Sequence, residues 1–188
     1  MGSTRDQIIE ATCELLELQG YHATGLNQII KESSSPKGSL YYHFPGGKEE
    51  LAVESVNYVG NITLRRIRDN LAMTDDPAEA VRAFIINIAV NVERSEYKAG
   101  GPITTIALET ASTSERLRET CDRLYNEWQQ AFADKLQTGG IGEARASRIA
   151  SLIISAIEGG VILCRTSRSR EPLESVASEV GILIEEAL

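Results

Sequence analysis

The stretch SSSPKGSLYYHFPGGKEEL, residues 33–51, decides how the rest of the chain is read. Ser35 followed by Pro36 marks a helix start: a capping hydroxyl, then a proline at the first helical position, where its missing N–H costs nothing. Leu40 and Phe44 fall one turn apart and give this helix, about 36–44, an apolar side. Pro45-Gly46-Gly47 ends it, and another helix begins near Lys48. The side left over carries Lys37, Gly38, Ser39, Tyr41, Tyr42 and His43. All 27 acidic residues of the chain lie outside residues 33–48. Such a surface suits a polyanion. Lys37 can donate to a phosphate or a guanine edge. Gly38 lets the backbone come close to a ligand, or accommodates packing, at a helix-propensity cost of about 1 kcal/mol relative to Ala. Tyr41 and Tyr42 offer apolar edges to thymine methyls and hydroxyls to phosphates, or pack at a rim. Lys48 stands in a first helical turn, whose free N–H groups favour an anion.

Outward from this stretch the helical period recurs, with no convincing two-residue alternation. Upstream, residues 4–19 place Ile8, Ala11, Leu15 and Leu18 on one face, with Gly20 as the closing residue. Thr24 caps a helix over about 24–32 that carries Leu26, Ile29 and Ile30. Downstream, a fourth helix covers about 48–71. Asp76-Pro77 with Glu79 is a capping box that opens a helix bearing Val81, Phe84, Ile85, Ile88 and Val92. A break at 98–102 precedes a short helix over about 102–112. Ser112 and Glu115 make another capping box before Leu117, Cys121, Leu124 and Trp128. A glycine loop at 139–142 leads to a helix over about 143–168, and Pro172 opens a last one with Leu173, Val176, Val180, Leu183 and Ile184 inward. The fold class is all-α, with roughly nine helices: three short ones joined by tight turns, then six that are mostly longer. The second and third have helix-turn-helix spacing, in which the second helix of the pair enters the major groove.

Composition bounds the function. The chain has 188 residues and a net charge of −8, so a DNA-binding role needs a local basic surface on an acidic body. Cys13, Cys121 and Cys164 are far apart and odd in number, which indicates reduced thiols in a cytoplasmic protein. No signal peptide is read at the N-terminus. The run LIISAIEGGVILC from Leu152 holds Glu158 at its centre and reads as a buried helix too short to span a bilayer. His22 and His43, the two histidines, pair with no nucleophile. No metal-spaced cluster or phosphate-binding glycine loop is present, so neither an enzyme nor a metal or cofactor is expected.

Residues 24–51, TGLNQIIKESSSPKGSLYYHFPGGKEEL, resemble the DNA-binding region of TetR-family (TetR/AcrR-like) transcriptional regulators; KGSLYYHF followed by KEEL is specific to that family. The extra glycine in FPGGKEEL, GGP at 100–102 and REPLESV at 170–176 resemble its LmrA/YxaF-type branch. The resemblance implies a homodimer, with a three-helix DNA-binding head at 1–47 and a six-helix effector-binding and dimerisation body at 48–188. It implies a palindromic double-stranded operator, repression as the usual mode, and release by a small molecule. By position, Thr24 meets a phosphate, Lys37, Gly38, Ser39 and Tyr41 face the groove, Tyr42, His43 and Lys48 anchor the DNA backbone, and Ser35 belongs to the same surface. Two departures stand out. The turn usually has glycine and then an apolar residue where this chain has Ser34 and Ser35, so Ser34 must adopt or avoid a conformation that suits glycine. Gly101 stands where the branch has a cysteine.

In the body, Phe84, Ile88, Ile103, Leu108, Leu124 and Trp128 are candidate pocket walls, or ordinary core. Tyr58, Tyr97 and Tyr125 add polar points. The apolar stripes hold no cationic cluster, which favours an apolar or mildly cationic effector over an anionic one. Ser155, Ala156, Gly159 and Gly160 form a small-residue stripe. With Val176 and Val180 it suggests a helix-pairing dimer interface, or close packing within the chain; on the first reading Gly160→Leu breaks the dimer. An alternative on the same scaffold is a thiol redox sensor.

Overall fold

Nine helices form among the described residues of the computed structural model, which describes residues 3–101 and 103–188; no strand occurs among them. They are α1 (Thr4–Ala23), α2 (Leu26–Glu32), α3 (Lys37–His43), α4 (Gly47–Leu71), α5 (Pro77–Arg94), α6 (Thr104–Thr110), α7 (Glu115–Thr138), α8 (Glu143–Ser167) and α9 (Glu171–Glu185). The all-α expectation holds. The start expected near residue 102 lies outside the described residues.

The chain divides into two compact units: one holds residues up to Ile62 together with Gly101–Leu124, the other Thr63–Gly100 with Tyr125–Leu188. In the first unit, α1, α2 and α3 pack on one another. Ile8, Ile9, Leu15, Ile29, Leu40, Phe44 and Leu51 make their core, with Cys13, Leu26 and Ile30 at its margin. The Ser3 hydroxyl and Asp6 carboxylate cap α1 reciprocally, a box the apolar periodicity did not reveal. Gly20, expected as the closing residue, leaves helical geometry at φ 79° and breaks α1, whose final turn runs on to Ala23. Leu18, expected inward, is 57% exposed; the buried stripe turns instead through Ile9, Thr12 and Leu16.

Three caps differ from expectation. Thr24 does not cap α2: its hydroxyl donates to the Gly20 carbonyl at 2.7 Å, and Gly25 takes the cap position without a side-chain bond. Ser35 does not cap α3: its hydroxyl donates to the Ser33 carbonyl at 3.2 Å, and Pro36 is itself the cap. Ser114, rather than Ser112, opens α7, accepting from the Leu117 N–H at 3.3 Å.

In the second unit, α5, α8 and α9 pack on one another. Asp76 caps α5 as expected, its Oδ1 accepting from the N–H groups of Ala78 (2.8 Å) and Glu79 (3.0 Å). Phe84 and Phe132 meet edge to face at 5.5 Å. Helix α8 has the length and composition to cross a bilayer, at mean hydropathy 1.6; Ala146, Ile149, Ala150, Ile153, Ile157, Val161 and Cys164 are buried along it. Arg168 closes it in the left-handed region (φ 51°, ψ 45°).

Candidate nucleic-acid interface

Helix α3 is seated by two side chains. Leu40 is fully buried and Phe44 almost so, and the Arg5 guanidinium lies over the Phe44 ring at 5.6 Å. With these inward, α3 turns Lys37, Gly38, Tyr41 and Tyr42 to the exterior. Tyr42 is 82% exposed, an unusual state for so large an apolar surface. Ser39 and His43 are half-buried, and the His43 ring stands 5.0 Å from that of Tyr42. An added Cβ on Gly38 would meet nothing within 4 Å, so its own chain does not require a glycine there.

The turn before α3 is built without glycine. Ser34 takes φ 50°, the left-handed region. The Ser35 N–H reaches the Ile30 carbonyl at 3.3 Å and the Ser34 N–H the Lys31 carbonyl at 3.2 Å, a pairing that closes a helix end. Serine thus adopts the conformation that glycine accepts without strain.

Thr24 and Ser35 stand apart from this exposed set. Both are buried, at 1% and 6% exposure, and Thr24 also accepts from the Gln19 amide at 3.3 Å. Lys48 is half-buried, its Nζ 4.4 Å above the Tyr21 ring and 3.5 Å from the His22 carbonyl. Glu50 serves the entry to α4, accepting from the Gly46 N–H at 2.6 Å. Asn27 and Lys31, exposed on α2, were not singled out in the sequence; their polar character alone does not separate them from solvated surface.

The six pocket candidates are divided between the units. Phe84, Ile88 and Trp128 belong to the second; Ile103, Leu108 and Leu124 belong to the first. Phe84 and Trp128 are buried, Ile88 half-buried, and Leu108 is 76% exposed. Trp128 meets Tyr125 edge to face at 5.3 Å, and the Tyr125 hydroxyl donates to Glu158 at 3.0 Å. This joins the carboxylate in the apolar run of α8 to an aromatic pair. A separate open cleft of about 330 Å³ in the first unit is lined by Val53, Arg116, Glu119, Thr120 and Arg123, none of the six.

Along α8, Ser155 and Gly159 are exposed and Ala156 is half-buried. Gly160 is buried: a Cβ there would stand 2.6 Å from Leu173 and 3.6 Å from Val176, both of α9 in the same chain. Its close helix approach is therefore made within the chain. Val180 is buried and Val176 half-buried. Leu152, Ile162 and Leu163 of α8 and Ile182 of α9 are exposed apolar side chains that the reading of small residues passed over.

Burial pushes the Cys13 thiol up to about 12 and that of Cys121 up to about 11, and raises Cys164 as well. Thiols so placed stay protonated and unreactive at neutral pH. Among the described residues no group of three His, Cys, Asp or Glu side chains is gathered as a metal would need.

Residues 8–54 match the family described as bacterial regulatory proteins, tetR family, and residues 77–179 match the transcriptional regulator LmrA/YxaF-like C-terminal domain. Over 183 residues the chain is 43% identical to the uncharacterized HTH-type transcriptional regulator YxaF of Bacillus subtilis (strain 168), covering 97% of this chain and 96% of that one. It is 42% identical to the HTH-type transcriptional regulator LmrA of the same organism, covering 97% of each. The crystal structure of a TetR transcriptional regulator from Chloroflexus aurantiacus J-10-FL, 29% identical, superposes with a TM-score of 0.83 over 97% of this chain and 94% of that one.

Proposed function

The chain belongs to the TetR family of bacterial regulatory proteins, in the group with an LmrA/YxaF-like C-terminal domain, and from that premise we propose that this transcriptional regulator is a cytoplasmic repressor. It binds a palindromic operator as a homodimer through the head, residues 1–47, with Lys48 adjoining it, and releases it when a small molecule occupies the body, residues 48–188. The observation that carries this reading is the outer side of α3. There a helical glycine faces open space beside exposed Lys37 and Tyr41. A glycine that costs helix stability and accommodates nothing in its own chain is explained by a ligand backbone that comes close. Lys37, Gly38, Ser39 and Tyr41 face the groove, and Tyr42, His43 and Lys48 meet the DNA backbone. Thr24 and Ser35, buried by hydrogen-bonded hydroxyls, act by shaping the module.

A dimer supplies the second half-site, about 34 Å or a multiple of it away. The outward apolar side chains Leu152, Ile162, Leu163 and Ile182, with Ser155 and Gly159 between them, suit pairing with a second copy. The effector is an apolar or mildly cationic molecule, in keeping with the Trp128, Tyr125 and Glu158 grouping. A ligand there shifts DNA binding by as much as its affinities for the two states differ. The redox-sensor alternative has less in its favour, since Cys121 and Cys164 are buried and Cys13 is partly so.

The test is a mobility shift on the DNA upstream of the gene with Gly38→Ala. Stability should be unchanged or raised by up to about 1 kcal/mol, while operator binding falls tenfold or more, about 1.4 kcal/mol. A Gly38→Ala protein that binds like the parent removes α3 as the reading surface.

A further inference from the structure

Four residues of the first unit meet where α1 ends. The Lys48 ammonium rests over the Tyr21 ring at 4.4 Å and points at the His22 carbonyl, 3.5 Å away. Glu109 of α6 closes the arrangement. Its Oε2 accepts from the His22 N–H at 2.9 Å, and its main-chain carbonyl lies 3.4 Å from His22 Nε2. The carboxylate can come this near because residue 20 is glycine: a Cβ there would stand 2.8 Å from Glu109 Cδ, on a backbone at φ 79°. The two charges thus meet through one residue: the His22 carbonyl faces the ammonium and the His22 N–H holds the carboxylate. Burial lowers the Lys48 pKa, and the Glu109 charge works against that shift.

We propose that Lys48 is a stowed phosphate contact, and that Glu109 is a positioning residue that fixes the His22 backbone against which Lys48 rests and competes with DNA through its charge. This rests on the reading of Lys48 as a contact to the DNA backbone. Without DNA the ammonium has an aromatic face and a carbonyl for company, with the Glu109 carboxylate on the other side of His22. An arriving phosphate offers the same charge as Glu109, so Lys48 exchanges one anion for another. The net gain is smaller than for a lysine drawn out of water. Helix α6 thereby acts on the interface through one carboxylate, and any displacement of Glu109 alters how readily Lys48 is given up.

Glu109→Gln isolates the charge, because the amide oxygen can still accept from the His22 N–H. Binding is read by fluorescence anisotropy on a duplex from the region upstream of the gene, across a salt series, for the parent, Glu109→Gln, Lys48→Ala and the double variant. Glu109→Gln should bind about two- to fivefold more tightly at low salt, the range of a solvent-screened interaction between nearby charges, and the gain should fade as salt rises. Lys48→Ala should bind more weakly and lose about one from the salt slope. In the Lys48→Ala background, Glu109→Gln should add nothing. A merely structural Glu109 would weaken binding at every salt concentration and independently of residue 48. The inference is overturned if Glu109→Gln binds no better than the parent, or if its gain persists without Lys48. If Lys48→Ala is weaker and Glu109→Gln is neutral, the phosphate contact stands and the stowing fails. If Lys48→Ala binds like the parent, both fail.

Discussion

Alanine at Gly159 and at Gly160 should act with opposite sign on the stability of the chain. Alanine in a helix interior is favoured over glycine by about 1 kcal/mol. At Gly159 an added methyl meets nothing within 4 Å, so that gain stands in full. At Gly160 the methyl carbon would lie 2.6 Å from Leu173 Cδ2 and 3.2 Å from its Cγ. Carbon atoms rest about 3.5–4.0 Å apart, so the fully buried Leu173 must withdraw by about 1 Å, or α8 and α9 must part. Overpacking of this kind costs about 1–3 kcal/mol. Against the helix gain, a net loss of about 1 kcal/mol is expected for Gly160→Ala. Urea unfolding followed by circular dichroism measures both variants, at several protein concentrations because the stability of the proposed dimer would depend on them. The Gly160→Ala loss should be the same at every concentration, since the contact is made within the chain. Gly159→Ala should stabilise the protomer and weaken its pairing, read as a raised dissociation constant by sedimentation. A Gly160→Ala protein as stable as the parent would refute the packing argument. An unchanged dimer in Gly159→Ala would take that residue out of the interface.

Ser34→Gly should stabilise the fold by about 0.5 kcal/mol. It relieves about 1–2 kcal/mol of left-handed strain, less the extra freedom glycine gives the unfolded chain, and Ser34→Val should destabilise; thermal melts decide both. Asp76→Ala should cost about 1 kcal/mol through two lost cap bonds at α5, visible in the urea midpoint. With their pKa values raised, Cys13 and Cys121 stay protonated at pH 7 and gain thiolate character only as pH climbs toward about 12 and 11. A chromogenic disulfide reagent should therefore modify them slowly in the native protein and rapidly in urea; fast native labelling at pH 7 would contradict their burial.

What could be read in the residues was what repeats or what only one residue type can do. Gly20 broke α1 and Asp76 with Pro77 opened α5 where the sequence put them, because a positive φ and a proline at a first turn leave little choice. Leu117, Cys121, Leu124 and Trp128 are buried as their spacing required. The hydroxyls were not legible in the same way. Thr24 and Ser35 satisfy a cap pattern, yet each bonds a carbonyl behind it. The choice between cap and back-bond depends on a side-chain torsion that spacing does not encode. Nor did α8 show which of its apolar sides is covered: a helix apolar most of the way round has no polar stripe to mark the outside. Its exposed Leu152, Ile162 and Leu163 emerged only with the neighbours in place.

The inward turn of Thr24 and Ser35 also bears on how a genetic screen of this regulator would be interpreted. If the chain represses as a dimer, as proposed, selection for derepressed colonies would recover changes at these two positions together with changes at Lys37 and Tyr41, and the phenotypes would look alike. The alleles would separate by dosage and temperature. Alleles of the buried hydroxyls should be temperature-sensitive, partly rescued by overexpression, and recessive, since few misfolded chains survive to join a mixed dimer. Alleles of the exposed side chains should persist at every temperature and be dominant negative, because a folded chain that cannot read DNA still occupies half of a pair.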